Sequence, residues 1–402
     1  MSTYLIGTID VDDAETYDLY RSFNPALVEA AGGEYVIKGK PTTVLEGEDF
    51  RSRFVMIRFA NEAALRKFYG SDEYQQLRGL RLKSARSSIA MINDDDNDDA
   101  CTAYQIDRFG AETALAPAKS SLPELDANDV RIQPTMIAIN PVDWKICDGM
   151  LAALPFALPY TPGCEGVGII EKVGGNVKGL MAGQRVMAFS SLLRGGWFAS
   201  KVDVAADQCA LVPVEVDDEE AAARAISLLT AQQVIDLHEG TISRALVIGA
   251  SGSVGSIATA LLRNRGVPVD AICSPTNSDF VAGLGADVVT SEHAAAQKYD
   301  LVLDAAGGPG IEAGYRGLAD QGTLVSIVQP VDEARATAVS GKAIRYSAQP
   351  DGEQLSALIA HHDKLPAPRV SAVLPIAQIN TALDLAKHGR VRGKILLKAQ
   401  AC

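Results

Sequence analysis

The sequence predicts a multidomain protein of mixed α+β and α/β class: a small ferredoxin-like α+β domain, then a β-rich domain, then a doubly wound parallel sheet. Three observations predict it. The run "NDDDNDDA" at 93–100 breaks the composition sharply. The stretch "RALVIGASGSVG" at 244–255 joins an apolar strand to a helix through a glycine turn. Between them, residues 101–222 fall into short strand-like runs broken by Gly and Pro.

Residues 1–93 form the first domain. "TYLIGTIDV" sets apolar residues at 4, 6 and 9 among polar ones, a half-buried strand. In "DAETYDLYRSFNPALVEAA", Tyr17, Tyr20, Leu27 and Val28 stand near helical spacing. Pro25 is expected to kink or restart that helix. Gly32-Gly33 stops it. "EYVIKG" and "RFVMIRF" read as strands, "NEAALRKFYGSDEYQQLRGLRLKSA" as a helix in two pieces, and "SSIAMI" as a last strand. The order β-α-β-β-α-β is a ferredoxin-like arrangement. Its helices cover one sheet face, so the other needs a partner, and a homodimer is expected. Residues 94–100 follow as a linker, because clustered aspartates repel one another and bury nothing.

The segments "GGEYVIKGK", "LEGEDFRSRFVMIRF" and "FYGSDEYQQLRGLRLKSA" resemble the domain-of-unknown-function family 1330, small dimeric α+β barrels. The resemblance implies the fold and the dimer but no chemistry. Tyr35, Arg53, Tyr74 and Arg78 are the polar residues expected at a pocket, or else in rim and interface packing.

The bulk charge narrows the partners. A formal net charge of −13 argues against nucleic acid and acidic membrane surfaces, which need a basic footprint. "MSTYLIGTIDVDDAE" has no basic region before its acids, so no signal peptide and a cytoplasmic location are expected. No apolar run reaches the roughly 18 residues of a membrane span. The six cysteines (101, 147, 164, 209, 273 and 402) form no C-x-x-C pair, so buried thiols are expected rather than a four-cysteine zinc site.

The glycine turn carries a mechanism. "ALVI" is an apolar strand of the buried parallel type, and "SIATALLRNRG" continues as a helix with apolar residues at 257, 261 and 262. Gly249, Gly252 and Gly255 allow the tight turn and the close approach of main chain to a pyrophosphate. Helix-start N–H groups from Ala250, Ser251, Ser253 and Val254 would face that anion. "PVDAICS", "YDLVLDAAGG" and "GTLVSIV" supply further strands, each leading into small residues, as a doubly wound sheet requires.

As an ordered set, "AINPVDWKICDG", "LPYTPGCEGVGIIEKVG", "AGQRVMAF", "GASGSVG", "LGAD", "VLDAAGG" and "RVRGKILL" resemble the quinone oxidoreductase branch of the zinc-independent medium-chain dehydrogenase/reductase superfamily, over about 103–398. The resemblance implies a GroES-like catalytic domain at 101–222 and 355–402 flanking a Rossmann domain at 223–354. NADPH would lie between them and reduce a small hydrophobic quinone or activated C=C bond. Asn140 would bind the nicotinamide ribose or the substrate carbonyl, with Asp143, Trp144 and Thr230 beside it. Asp143 could equally be a turn-forming structural acid. Relatives often have Tyr at the Trp144 position; an indole is a poor acid, so Trp144 is expected as an apolar wall, with Leu154 and Phe156 nearby. Ile327 and Val328 would back the nicotinamide, and Arg392 and Lys394 would close the domain interface, or form a structural salt bridge there.

Departures from that pattern raise two questions. Zinc-dependent relatives place ligands near the positions of Cys147 and Cys164, and Glu165 is a third donor type. All five histidines lie beyond residue 237, so no metal is expected; Cys147 packs and Glu165 caps local backbone. At the strand end "AICSPTNSDF", Ser274 stands where an acid would select NAD, which tilts the site to NADP with Ser274 and Asn277 at the 2′-position. Yet no Lys or Arg occurs between Ser274 and Gln297, and only Arg263, Arg265 and Lys298 are nearby in sequence. Asp270 reads as a solvent-facing strand residue. Leu228 replaces a glycine and Gln232 a tryptophan of the relatives' "GLTAWQAL", and Leu228 could fill space that the nicotinamide needs. An NADPH-dependent reductase is the leading expectation. A non-redox cyclase, isomerase or lyase, with the N-terminal barrel contributing to the active site, is the alternative.

Overall fold

Strand β1 (Thr3–Val11) opens the chain and alternates with period two, burying Thr3, Leu5 and Ile9. Tyr4 and Ile6 therefore belong to the opposite face, a shift of one residue from the alternation read in the sequence. The computed structural model describes residues 3–41, 43, 53–93, 100–110, 113–389 and 393–399. These divide into two compact units, 1–100 and 101–402.

In the first unit, α1 (Ala14–Ala30) starts where the Asp13 carboxylate accepts from the Glu15 and Thr16 amides. Pro25 lies inside this helix without ending it. Its missing N–H costs one hydrogen bond, and burial of Tyr17, Tyr20 and Val28 on the sheet outweighs that loss. Then come β2 (Glu34–Pro41), β3 (Arg53–Phe59), α2 (Glu62–Tyr69), α3 (Asp72–Ser84) and β4 (Ala85–Asn93). Asn61 and Ser71 cap the two short helices. The sheet order is β2-β3-β1-β4, every neighbour antiparallel, which is the ferredoxin-like topology.

The second unit begins with β5 (Ala100–Gln105), β6 (Ala116–Ser121), β7 (Asp129–Ile139), α4 (Pro141–Cys147), β8 (Glu165–Val173), β9 (Arg185–Phe189), β10 (Val202–Ala205) and β11 (Cys209–Leu211). Helices α5 (Asp218–Ala222) and α6 (Ala225–Asp236) lead into an alternating region. That region holds β12 (Ala245–Ile248), α7 (Ser253–Asn264), β13 (Val269–Ile272), α8 (Ser278–Gly283), β14 (Asp287–Val288), α9 (Ser291–Ala295), β15 (Tyr299–Asp304), α10 (Ile311–Gly317), β16 (Leu318–Ser326), α11 (Glu333–Thr337) and β17 (Lys342–Arg345). The chain closes with α12 (Gly352–Ile359), β18 (Val370–Pro375), α13 (Ile379–His388) and β19 (Lys394–Lys398).

Strands β12 to β17 make a parallel sheet in the order β14-β13-β12-β15-β16-β17. That is the doubly wound dinucleotide order, with its switch point between β12 and β15. The other large sheet runs β11-β9-β8-β7-β19-β18, so the C-terminal strands return to β7 across more than two hundred residues. One hydrophobic core joins the two sheets: Met136, Val167 and Phe189 pack in the same cluster as Leu229, Val247 and Leu301. Among the described residues, no helix is long and apolar enough to cross a membrane.

Candidate active site and dinucleotide cleft

The glycine turn leaves β12 at the switch point. Gly249 has φ +83, and its amide donates to Ile272 O at 2.8 Å. A Cβ on Gly255 would stand 2.3 Å from Gly249 O, so the first turn of α7 rests directly on the loop that precedes it. No side chain caps α7 at Gly252, which leaves the N-terminus of a twelve-residue helix free to face an anion. Gly252 is exposed, Ser251, Ser253 and Val254 are half-buried, and Ala250 is buried.

Across the switch point, Asp304 ends β15 with no exposed surface. One carboxylate oxygen accepts from the Gly307 amide at 2.8 Å and the Ala306 amide at 3.2 Å. The other accepts from Ser326 Oγ and Gln329 Nε2, both at 2.9 Å. Asp304 therefore ties the loops after β15 and β16 together. Those loops carry Ile327, whose amide donates to Asp304 O at 3.0 Å, and half-buried Val328. Sequence reading passed over Asp304, although an Asp followed by "AAGG" is the local signal of a carboxylate that accepts from the amides after it.

The selector region is not without a base. Asn277 Nδ2 donates to Ser274 Oγ at 2.8 Å and to Ser251 Oγ at 3.3 Å, drawing the strand end and the glycine turn together. Arg369, 92 residues away in sequence, donates from Nη1 to Asn277 Oδ1 at 3.1 Å. Its guanidinium lies 3.6 Å from the Phe280 ring centroid. The three cations considered from sequence are engaged elsewhere. Arg263 donates to Val267 O, Arg265 to Gln232, and Lys298 to the carbonyls of Arg316 and Leu318. Nothing local marks Arg369; it arrives because β18 follows it and pairs with β19.

Asp270 does not face solvent, contrary to the sequence reading. It is 1% exposed, accepts both nitrogen–oxygen contacts from Arg244 Nη2 at 2.9 Å, and accepts from Tyr299 OH at 2.6 Å. The reason is position: β13 lies between β14 and β12 in a sheet covered on both faces.

The catalytic-domain residues form a second, buried cluster. Glu165 is wholly buried at the start of β8. Its Oε1 accepts from Asn140 Nδ2 at 2.9 Å and from Lys394 Nζ, and its Oε2 accepts from the Ile226 amide at 2.6 Å. Lys394 also donates to Asn140 Oδ1 at 2.6 Å. Both ends of the Asn140 amide thus hydrogen-bond within the protein. Glu165 does cap backbone, but of α6 in the nucleotide-binding half and not locally. Lys394 forms a salt bridge with Glu165, and Arg392 lies outside the described residues.

Asp143 begins next to this cluster. Its Oδ2 accepts from the Asn140 amide at 2.7 Å, its Oδ1 is buried without a partner, and the side chain is 1% exposed. Burial, with the Glu165 charge adding, pushes its carboxyl up to about 7. Trp144 packs against the catalytic-domain core, its Nε1 is buried without a partner, and Lys145 and Lys387 approach its ring at 5.6 and 5.9 Å. Thr230 Oγ1 donates to Ile226 O at 2.5 Å within α6. Phe156 stacks between Phe109 and Tyr160, whereas Leu154 is 42% exposed, so these two do not share one apolar wall. Leu228 has no exposed surface and belongs to the shared core, so it takes no space from a cleft.

Comparison with known proteins follows the same division. Residues 2–94 match the domain of unknown function family DUF1330. Residues 126–214 match the alcohol dehydrogenase GroES-like domain family, and 272–397 the family described as zinc-binding dehydrogenase. The chain is 34% identical over 243 residues to the chloroplast envelope quinone oxidoreductase homolog of Arabidopsis thaliana, covering 56% of this chain and 74% of that one. It is 31% identical to the NADPH-dependent alkenal/one oxidoreductase of the same plant, over 50% of this chain and 56% of that one. Among solved structures, the quinone oxidoreductase of Coxiella burnetii superimposes with a TM-score of 0.67 at 24% identity, over 75% of this chain and 100% of that one. The Escherichia coli quinone oxidoreductase complexed with NADPH gives 0.64 at 22%, over 74% and 99%. At those identities the two structures share the fold.

Proposed function

We propose that this chain, an oxidoreductase that belongs to the quinone oxidoreductase branch of the medium-chain dehydrogenase/reductase superfamily, uses NADPH to reduce a quinone or conjugated enone without zinc. The observation that carries the cofactor choice is the Ser274–Asn277–Arg369 cluster. No acid stands at the strand end to take two ribose hydroxyls, and a guanidinium is delivered there by the C-terminal segment. Arg369 would supply charge-assisted hydrogen bonds to a 2′-phosphate, and Asn277 and Phe280 hold its plane. The uncapped start of α7 would take the pyrophosphate. When bound, NADPH would supply the hydride; the matching proton is assigned to water, since the Trp144 indole is a poor acid.

The residues near the relatives' zinc positions do not fit the metal. Zinc needs thiolates and free lone pairs. Burial pushes the Cys147 thiol up to about 12 and the Cys164 thiol well above its ordinary value. Both oxygens of Glu165 are engaged, one of them by the Lys394 ammonium, a cation already resident at the carboxylate. Two of the grounds for the non-redox alternative weaken: Leu228 lies in the core, and Arg369 stands beside Asn277 as the base missing from the local sequence. A homodimer through the first unit is part of the same reading, supported by Val36 and Ile92, each 49% exposed; light scattering of the whole chain would test it.

The cofactor test is a titration of NADPH and NADH followed by nicotinamide fluorescence. Wild type should bind NADPH more tightly. Arg369→Ala removes hydrogen bonds to a charged group worth about 1.5–3 kcal/mol, so NADPH affinity should fall roughly 10- to 150-fold. NADH affinity should change little. Equal binding of the two cofactors by wild type, or an unchanged ratio in Arg369→Ala, would overturn the assignment. Turnover on a panel of quinones and enones then separates the substrate classes.

A further inference from the structure

The first unit holds a cavity of about 70 Å³ between α1 and the sheet. Arg21 and Lys38 line it and are exposed, so its lining reaches the surface. Asn24 lines it too and is 5% exposed. Its Nδ2 lies 2.6 Å from Tyr35 OH, and its Oδ1 is buried without a partner. That separation is short for N–H···O, which runs about 2.7–3.2 Å, and ordinary for O–H···O. The two ends of an amide have the same shape, so its hydrogen bonds decide which is which. Turned over, the amide accepts from the Tyr35 hydroxyl through its oxygen, and its NH2 group takes the buried position that has no partner. The assignment that suits the distance therefore leaves Asn24 with N–H groups in need of an acceptor.

The other polar lining side chains are donors as well. Burial pushes the phenols of Tyr17, Tyr20, Tyr35 and Tyr74 above their ordinary range, so all four keep their protons. Arg21, Lys38 and Arg53 line the cavity, and no acidic residue does so among the described lining residues. Three of the four pocket residues expected from sequence, Tyr35, Arg53 and Tyr74, are thus present, and Arg78 is not. The charge of Arg81 opposes the rise at Tyr17, Tyr20 and Tyr74. Arg81 is 2% exposed; among the described residues its guanidinium donates to Ser87 Oγ and forms no salt bridge. A buried cation without a counter-charge favours an anion nearby. This basic setting occurs in a chain of net charge −13, so it is not the average surface of the protein.

Size limits the anion. A cavity of about 150 Å³ takes benzene, with its six heavy atoms, so this one has room for about three. We infer that the N-terminal domain binds a compact monovalent oxyanion of the size of formate in this cavity. The Asn24 NH2 group and the tyrosine hydroxyls donate to its oxygens, and the lining cations balance its charge. The site belongs to the first unit alone and does not depend on the cofactor reading.

The test is isothermal titration of the full-length protein, in chloride-free buffer, with formate, formamide and butyrate. So few heavy atoms limit the affinity to about 0.5 mM at best, and formate should saturate in the low millimolar range. Formamide has the same size without the charge and should bind at least about tenfold more weakly. Butyrate exceeds the cavity and should not saturate. Asn24→Asp keeps the shape but replaces the NH2 group by an oxygen and adds a negative charge, so formate binding should be lost. Arg53→Gln should weaken formate about two- to fivefold, and it decides the matter should Asn24→Asp not fold. No saturable formate binding at tens of millimolar would overturn the inference. So would formamide or butyrate binding as tightly as formate, or formate binding unchanged in either folded variant.

Discussion

Replacing Lys394 by Met strips the cation from a wholly buried carboxylate. Glu165 has no exposed side-chain surface and Lys394 only 7%. After the substitution, Glu165 keeps the Ile226 amide at 2.6 Å and Asn140 Nδ2 at 2.9 Å, two neutral donors for one full charge. Breaking a buried pair on one side costs about 3–5 kcal/mol. Lys394→Met should therefore lose roughly 3–4 kcal/mol at pH 7. The double variant Glu165→Gln with Lys394→Met removes both charges and should lose only about 1 kcal/mol, roughly 2–3 kcal/mol less than Lys394→Met alone. Urea unfolding followed by tryptophan emission reads this domain selectively, because the chain's two tryptophans are Trp144 and Trp197. A single variant within about 1 kcal/mol of wild type, or a double variant as unstable as the single, would refute the reasoning.

Three further outcomes are expected. Asp143 rises from 3.8 to about 7 on folding, so the stability it contributes is fully present below pH 4 and is lost as pH rises through 7; Asp143→Asn should flatten that decline, by up to ~4 kcal/mol, in urea midpoints taken from pH 4 to 8. Gly255→Ala places a methyl 2.3 Å from Gly249 O, a backbone atom that cannot yield, whereas Gly252→Ala meets nothing closer than 3.4 Å. The first should lose about 1–3 kcal/mol and the second under about 1 kcal/mol in thermal unfolding. Tyr299→Phe removes the 2.6 Å hydrogen bond to the buried Asp270 carboxylate and should cost about 1.5–3 kcal/mol in the same assay, and an unchanged melting temperature would count against that role.

The first unit shows how far local chemistry carries. Asp13, Asn61 and Ser71 cap their helices as their sequence positions suggest. Pro25 does not restart the helix, because packing of Tyr17, Tyr20 and Val28 along one helix face outweighs one missing hydrogen bond. The alternation in "TYLIGTIDV" was legible as a strand, but the choice of inward face was not, since both faces carry apolar residues.

What the sequence determined alone is therefore what depends on neighbours along the chain. The ferredoxin-like order, the glycine turn between β12 and α7, and the alternation of a doubly wound sheet all follow from periodicity and turn chemistry. Tertiary structure decided everything that depends on charges meeting across long separations. Arg369 reaches Asn277 across 92 residues, and Lys394 reaches Glu165 across 229. Asn140, expected to bind the nicotinamide ribose or the substrate carbonyl, hydrogen-bonds both members of that pair. An isolated Arg, Lys or Glu in sequence carries no mark of its partner. The return of β19 to β7 brings Lys394 to Glu165 out of contact with water, and burial makes that pairing obligatory.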